Sequence, residues 1–169
     1  MPGKQIPVTP RDYRNTIGLF ATGVTVLALN DAGSVRAMTV SAVASLSLEP
    51  LLVICCIDKK ANCLPYFRLN ENFSINILCR QQDVLSNYFA GIWPEDAPPP
   101  DFEFTPWADC PRLTEAMAAV VCELQEKIEG GDHWIMIGRV IALWQAEDLA
   151  DPLIYYRGQY RGLATPDGD

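Results

Sequence analysis

Apolar residues in this chain come in strand-length runs separated by turn residues, and few architectures are compatible with that pattern. The longest run, Pro50–Ile57, suits one strand and falls far short of the roughly 20 residues that span a bilayer as a helix. Val24–Leu29 is β-branched and apolar on both faces, as a buried strand should be. Asn30–Gly33 reads as a turn and Val35–Ala44 as a second strand, giving a hairpin that Ser45–Pro50 closes. Leu51–Ile57 is a third strand. Phe73–Leu78 is a fourth, with Ser74 and Asn76 on the face opposite its apolar residues. From Val120 to Ile128 the alternation puts Val120, Cys122, Leu124 and Ile128 on one side; Glu129–Asp132 turns the chain into a return strand over Trp134–Trp144.

Helices are few and short. Thr9 as N-cap, Pro10 in the first turn and Asp12 in a capping-box position predict a helix over about 10–20, with Tyr13, Ile17, Phe20 and Ala21 at helical spacing. Asn62 is placed to cap a second through about Leu69. Asp83–Ala90 reads as a third, with Val84, Leu85, Tyr88 and Phe89 inward. Residues 91–112 read as a Pro-rich loop, and the tail carries Tyr155, Tyr156 and Tyr160. The expected fold is mainly β: a closed antiparallel barrel with short peripheral helices, in one domain over residues 1–169.

Composition narrows the chemistry. The 21 acidic residues outnumber the 13 basic ones, a net charge of −8, which argues against a nucleic-acid surface. An anionic ligand would need a local positive cluster working against that field. The start, MPGKQIPVTPRDYR, lacks the apolar core of a signal peptide, so a cytoplasmic protein without membrane contact is expected. The six cysteines, Cys55, Cys56, Cys63, Cys79, Cys110 and Cys122, form no CxxC pair; they read mainly as small buried hydrophobes. The single histidine, His133, rules out a multi-His metal centre, and no metal is expected. GxGxxG, GxxxxGK[ST] and GxSxG are all missing. A chain so poor in catalytic groups points to a bound cofactor that carries the chemistry.

Four stretches, in this order and spacing, carry a resemblance. They are Phe20–Val26; Ala37–Ala42 with Ser45–Pro50; Phe73–Leu78; and Gly131–His133 with Ile137–Val140. Together they resemble the flavin reductase family of the FMN-binding split-barrel fold, over about residues 11–163. The resemblance implies a homodimer that binds FMN or FAD, takes electrons from NADH or NADPH, and releases reduced flavin to a partner monooxygenase. It implies flavin contacts at Met38, Thr39, Val40 and Ser41, at Ser45, Leu46 and Ser47, and at Asp58, Lys59, Lys60 and Asn62 in the Asp58–Cys63 segment. Asn76, Leu78 and the C-terminal aromatic Tyr160 complete the set, with His133 on the nicotinamide side as the catalytic candidate.

These residue types suit those roles. Hydroxyls of Thr39 and Ser41 and strand-end backbone groups match the acceptor and donor rim of a flavin ring, although Thr and Ser also simply sit well on strands. Lys59 and Lys60 before a helix capped by Asn62 would make an anion site. Two departures from the family pattern stand out. Lys59–Cys63 offers no hydroxyl, so phosphate binding leans on Lys60, Asn62 and backbone amides. Arg36-Ala37 stands where the family commonly has Gly, and Arg36 reads equally as a phosphate contact or a surface arginine. Asn76 fits a ligand contact or a satisfied core amide, and His133 a nicotinamide contact or a turn residue bonded to Asp132. A flavin carrier without turnover remains open. An oxidase resembling pyridoxamine-phosphate oxidase would want more basic clustering than Lys59-Lys60.

Overall fold

The computed structural model describes residues 2–148 and 150–163. Helix α1 (Pro10–Ile17) starts as its residues dictate: the Asp12 N–H donates to Thr9 Oγ1 at 3.1 Å, and Pro10 occupies the first turn. It ends at Ile17, short of residue 20, because the N–H groups of Leu19 and Phe20 turn back to the carbonyls three residues earlier. Strands β1 (Thr22–Gly23), β2 (Thr25–Asp31), β3 (Ser34–Val40), β4 (Val43–Leu48) and β5 (Leu51–Asp58) follow. The single strand expected over Val35–Ala44 is therefore two, and Ser45–Leu48 is strand, not turn. The reason is a change of partner: β3 pairs with β2 and β4 with β5, so the chain must bend at Ser41-Ala42.

The helix expected after Asn62 shrinks to one 3-10 turn, Leu64–Tyr66, with no capping side-chain bond. Next come β6 (Asn72–Ile77) and α2 (Asp83–Phe89). On α2 Leu85 faces the core, whereas Val84 is exposed, against expectation. Residues 91–112 are not loop throughout: β7 (Phe104–Trp107) and β8 (Cys110–Leu113) form a hairpin through Ala108 and Asp109, both at positive φ. The two strands pair Pro106 with Pro111, which an isolated ribbon tolerates better than a wide sheet. The long hairpin β9 (Ala118–Gly130) and β10 (His133–Gln145) turns at Gly131, whose φ of 66° suits glycine. Ile128 near its tip is exposed. β11 (Ile154–Tyr156) and β12 (Gln159–Arg161) complete the described chain.

Seven strands form one antiparallel sheet in the order β3-β2-β6-β9-β10-β5-β4. Its two edges, β3 and β4, are consecutive in sequence and joined only by Ser41-Ala42; among the described residues no ladder joins them. One face buries Leu27, Leu29, Val53, Cys55, Ile57, Phe73, Ile75, Cys122, Leu124 and Met136, with Phe67 closing over it. The period-two spacing of Val53, Cys55 and Ile57 is the expected alternation. At Gly138 a Cβ would lie 2.8 Å from Cys122 Cβ and 3.0 Å from the Phe73 ring, so the core admits no side chain there. The opposite face of β2 and β6 is covered by Leu85, Leu113, Ala116 and Leu153. Val24–Leu29 is therefore apolar on both sides because both sides are covered. Cys55, Cys110 and Cys122 are buried, which pushes each thiol from 9.0 to about 12 and keeps it protonated near neutrality. Among the described residues no helix is long and apolar enough to cross a membrane.

Candidate functional site

β3 is an edge strand, and its unpaired side opens into a cleft of about 810 Å³. Val35–Thr39 form one wall, Lys60–Cys63 and Tyr66 a second, and Tyr88–Gly91 with Phe102 and Phe104 a third. The Ala37 carbonyl accepts the Cys63 thiol at 3.2 Å, so it points away from β2. In an antiparallel strand the N–H and C=O of one residue share a direction. Val35, Ala37 and Thr39 thus present backbone donors and acceptors to the cleft. The Thr39 hydroxyl donates to the Ser86 carbonyl at 2.7 Å and pins α2 against β3. The backbone N–H groups of Asn62 and Cys63 find no acceptor among the described residues, leaving two donors on the second wall.

Charge in the cleft runs against the rest of the chain. Among the described residues no Asp or Glu lines it, while Arg36 and Lys60 do. The twin lysines part company. Lys59 forms an ion pair with Glu129, holding that carboxyl below its ordinary range, and lies over the Trp134 ring at 5.6 Å. Lys60 alone reaches the cleft. Asp58 shapes the turn between them by accepting the Lys60 N–H at 2.8 Å.

Met38, Thr39, Lys60 and Asn62 thus meet at one site. Val40 is buried beneath them, and Ser41 is half-buried at the bend two residues beyond Thr39. Ser45, Leu46 and Ser47 lie on β4, at the other edge of the ladder and outside the cleft walls. His133 pairs with Asp58 on the ladder and bonds Asp132 at 2.7 Å, one turn away from Lys60. The Tyr160 hydroxyl lies 2.8 Å from Ser86 Oγ and 3.2 Å from Asn87 Oδ1, tying the tail to α2 behind the cleft.

Asn76 and Leu78 are fully buried and line no part of the cleft. Asn76 Nδ2 donates to the Val26 carbonyl at 3.0 Å, and Oδ1 accepts the Leu113 N–H at 2.9 Å, stitching β8 onto β6. The fold thus spends its amide on the core. Asn76→Ala is expected to cost about 2–3 kcal/mol, because the buried Leu113 N–H loses its acceptor. Urea unfolding checks this; unchanged stability with weakened ligand binding would return Asn76 to the site.

Residues 17–164 match the family described as flavin reductase like domain, a span that contains every residue of the cleft. The chain belongs to the flavin reductase family. It is 34% identical over 160 residues to the reductase subunit of a flavin-dependent monooxygenase from Rhodococcus jostii (strain RHA1), covering 95% of this chain and 80% of that protein. It is 35% identical over 159 residues to an NADH-dependent flavin reductase from Rhodococcus sp, covering 92% and 88%. The structure of flavin reductase PheA2 in its native state matches with a TM-score of 0.87 at 36% identity, over 94% of this chain and 100% of that one.

The cleft of this flavin reductase family member suits a flavin in size and lining. Its volume lies in the range of small-molecule sites. Its lining combines aromatic side chains with two cations and two N–H donors, which suits a planar ring and a phosphate. Tyr66, Tyr88, Phe102 and Phe104 were not anticipated as site residues. Phe102 and Phe104 sit in the stretch read as loop; the one available signal was a pair of aromatics among prolines and acids.

Proposed function

We propose that the protein is an NAD(P)H-dependent flavin reductase that supplies reduced FMN or FAD to a partner monooxygenase. The observation that carries this reading is the acid-free, aromatic-walled cleft along β3 in a member of the flavin reductase family. Bound together, nicotinamide and flavin would supply the redox chemistry, a hydride passing from one ring to the other. The chain's own part is to bind and to orient. N–H and C=O groups of Val35, Ala37 and Thr39 hold a ring rim without side-chain entropy cost. An N–H at that edge favours the negative charge that reduction brings. Tyr88, Phe102 and Phe104 exclude water. Lys60 and the N–H groups of Asn62 and Cys63 hold phosphate.

His133, on the rung next to Asp58, orients the nicotinamide and need not act as a base. Residues 11–163 act as one unit. A split barrel is part of the reading, supported by the short Ser41-Ala42 link between β3 and β4, the two edges of the sheet. A homodimer is part of the reading. Leu46, Leu48 and Leu51 at the β4 edge, and Tyr13, Ile17 and Phe20 near α1, are exposed apolar groups that a second copy would cover. That arrangement would also give Ser45–Ser47 a place beside a flavin. The reading includes a cytoplasmic location.

Anaerobic mixing with NADH or NADPH and FMN or FAD tests the activity. Flavin absorbance near about 450 nm is expected to bleach in proportion to added nicotinamide. Flavin that binds but stays oxidised would make the protein a carrier and overturn the reading.

A further inference from the structure

Arg36 occupies a position that the activity alone does not require. It stands on β3 in the cleft wall, with its guanidinium 4.6 Å from the centroid of the Tyr66 ring. Nε and Nη2 donate to one oxygen of Asp31, at 3.4 and 3.3 Å, and the other Asp31 oxygen faces Arg68 at 3.8 Å. The Asp31 carboxylate is thus shared between two arginines and does not neutralise both. Of the five N–H groups in a guanidinium, Asp31 engages two. The fork is clamped by a carboxylate at its edge and a ring at its face, and it keeps donors to spare.

The surroundings point to an anion. Lining the same cleft are Lys60 and the N–H groups of Asn62 and Cys63, which have no acceptor among the described residues. The Arg36 charge is felt at Cys63, where it counters the rise that burial imposes on the thiol. The chain has 21 acidic residues, and none of the described ones lines the cleft.

We propose that Arg36 is a specificity residue: with Lys60 it binds the phosphate end of the flavin, and it makes the protein select FMN and FAD over riboflavin. This rests on the flavin reading above. A pre-oriented guanidinium matches phosphate geometry, and its ordering cost is already met by Asp31 and Tyr66.

The test is equilibrium titration of wild type, Arg36→Ala and Arg36→Lys with riboflavin, FMN and FAD, followed by quenching of flavin fluorescence. Arg36→Ala is expected to raise Kd for FMN and FAD by about 10- to 100-fold and to leave riboflavin within about 2-fold. Arg36→Lys, which keeps charge and stem but loses the fork, is expected to raise Kd for FMN by about 3- to 10-fold. Equal loss for all three flavins in both variants, or no loss in either, would overturn the proposal and leave the flavin reading standing. Wild-type protein that binds none of the three would overturn both.

Discussion

Lys60→Glu is expected to raise the flavin KM for FMN by roughly 100-fold while the protein melts as before. Lys60 is exposed, and its backbone N–H, not its side chain, makes the Asp58 contact that shapes the turn. Any residue but proline at position 60 can keep that bond, so the fold has little to lose. The cleft, by contrast, loses one of two cations and gains an acid where it has none. Swapping attraction for repulsion at a charge-assisted contact is worth about 2–3 kcal/mol, hence the factor of about 100. Steady-state rates of NADH oxidation against FMN concentration measure it. Lys59→Glu is the control: Lys59 is committed to Glu129 and Trp134 outside the cleft, and its reversal should change KM by no more than about 3-fold. Similar losses from both would mean that the phosphate does not lie on the Lys60 side.

Phe73→Ala is expected to destabilise the protein by about 3–5 kcal/mol, a large part of the 5–15 kcal/mol typical of a domain. Phe73 lies on β6, which pairs with β2 on one side and β9 on the other. It is buried against Phe67 in an edge-to-face pair, with ring centroids 5.5 Å apart and planes at 66°. Its ring also fills the space above Gly138, where no Cβ can replace it. Neither neighbour can collapse far into the cavity, because one is glycine and the other is fixed by the turn before Arg68. Thermal unfolding should fall by about 10 °C or more. Val84→Ala, on the exposed face of α2, should cost less than about 0.5 kcal/mol. A loss under 1 kcal/mol at Phe73 would mean that the core is not packed as described.

β6 and β9 were legible because alternation is a local signal, and β5 because its apolar run has the length of a strand. The split of Val35–Ala44 into β3 and β4 was not. Nothing at Ser41-Ala42 disfavours a strand; the bend follows from which partner each half finds. The β7–β8 hairpin hid behind Pro106 and Pro111, residues that argue against strands everywhere except in such a ribbon. The site was legible in part for the same kind of reason. Met38, Thr39, Lys60 and Asn62 gather because the family motifs bring β3 and the turn after β5 together. That Lys59 and Lys60 point to different tasks depends on Glu129, far along the chain, and no local pattern could reveal it. For Asn76 the resemblance implied a ligand contact and the residue itself equally fitted a core amide; the Leu113 N–H that its side chain accepts arrives from a hairpin not visible in the sequence.

Cys63 offers the most direct test of where the flavin sits, since it lines the cleft half-buried while Cys56 and Cys79 are half-buried elsewhere. The measurement is the alkylation rate of each thiol, read by mass spectrometry, with and without saturating FMN. FMN is expected to slow the labelling of Cys63 several-fold and to leave Cys56 and Cys79 unchanged. Labelling of Cys63 at the same rate in both samples, under conditions where FMN is bound, would contradict the account.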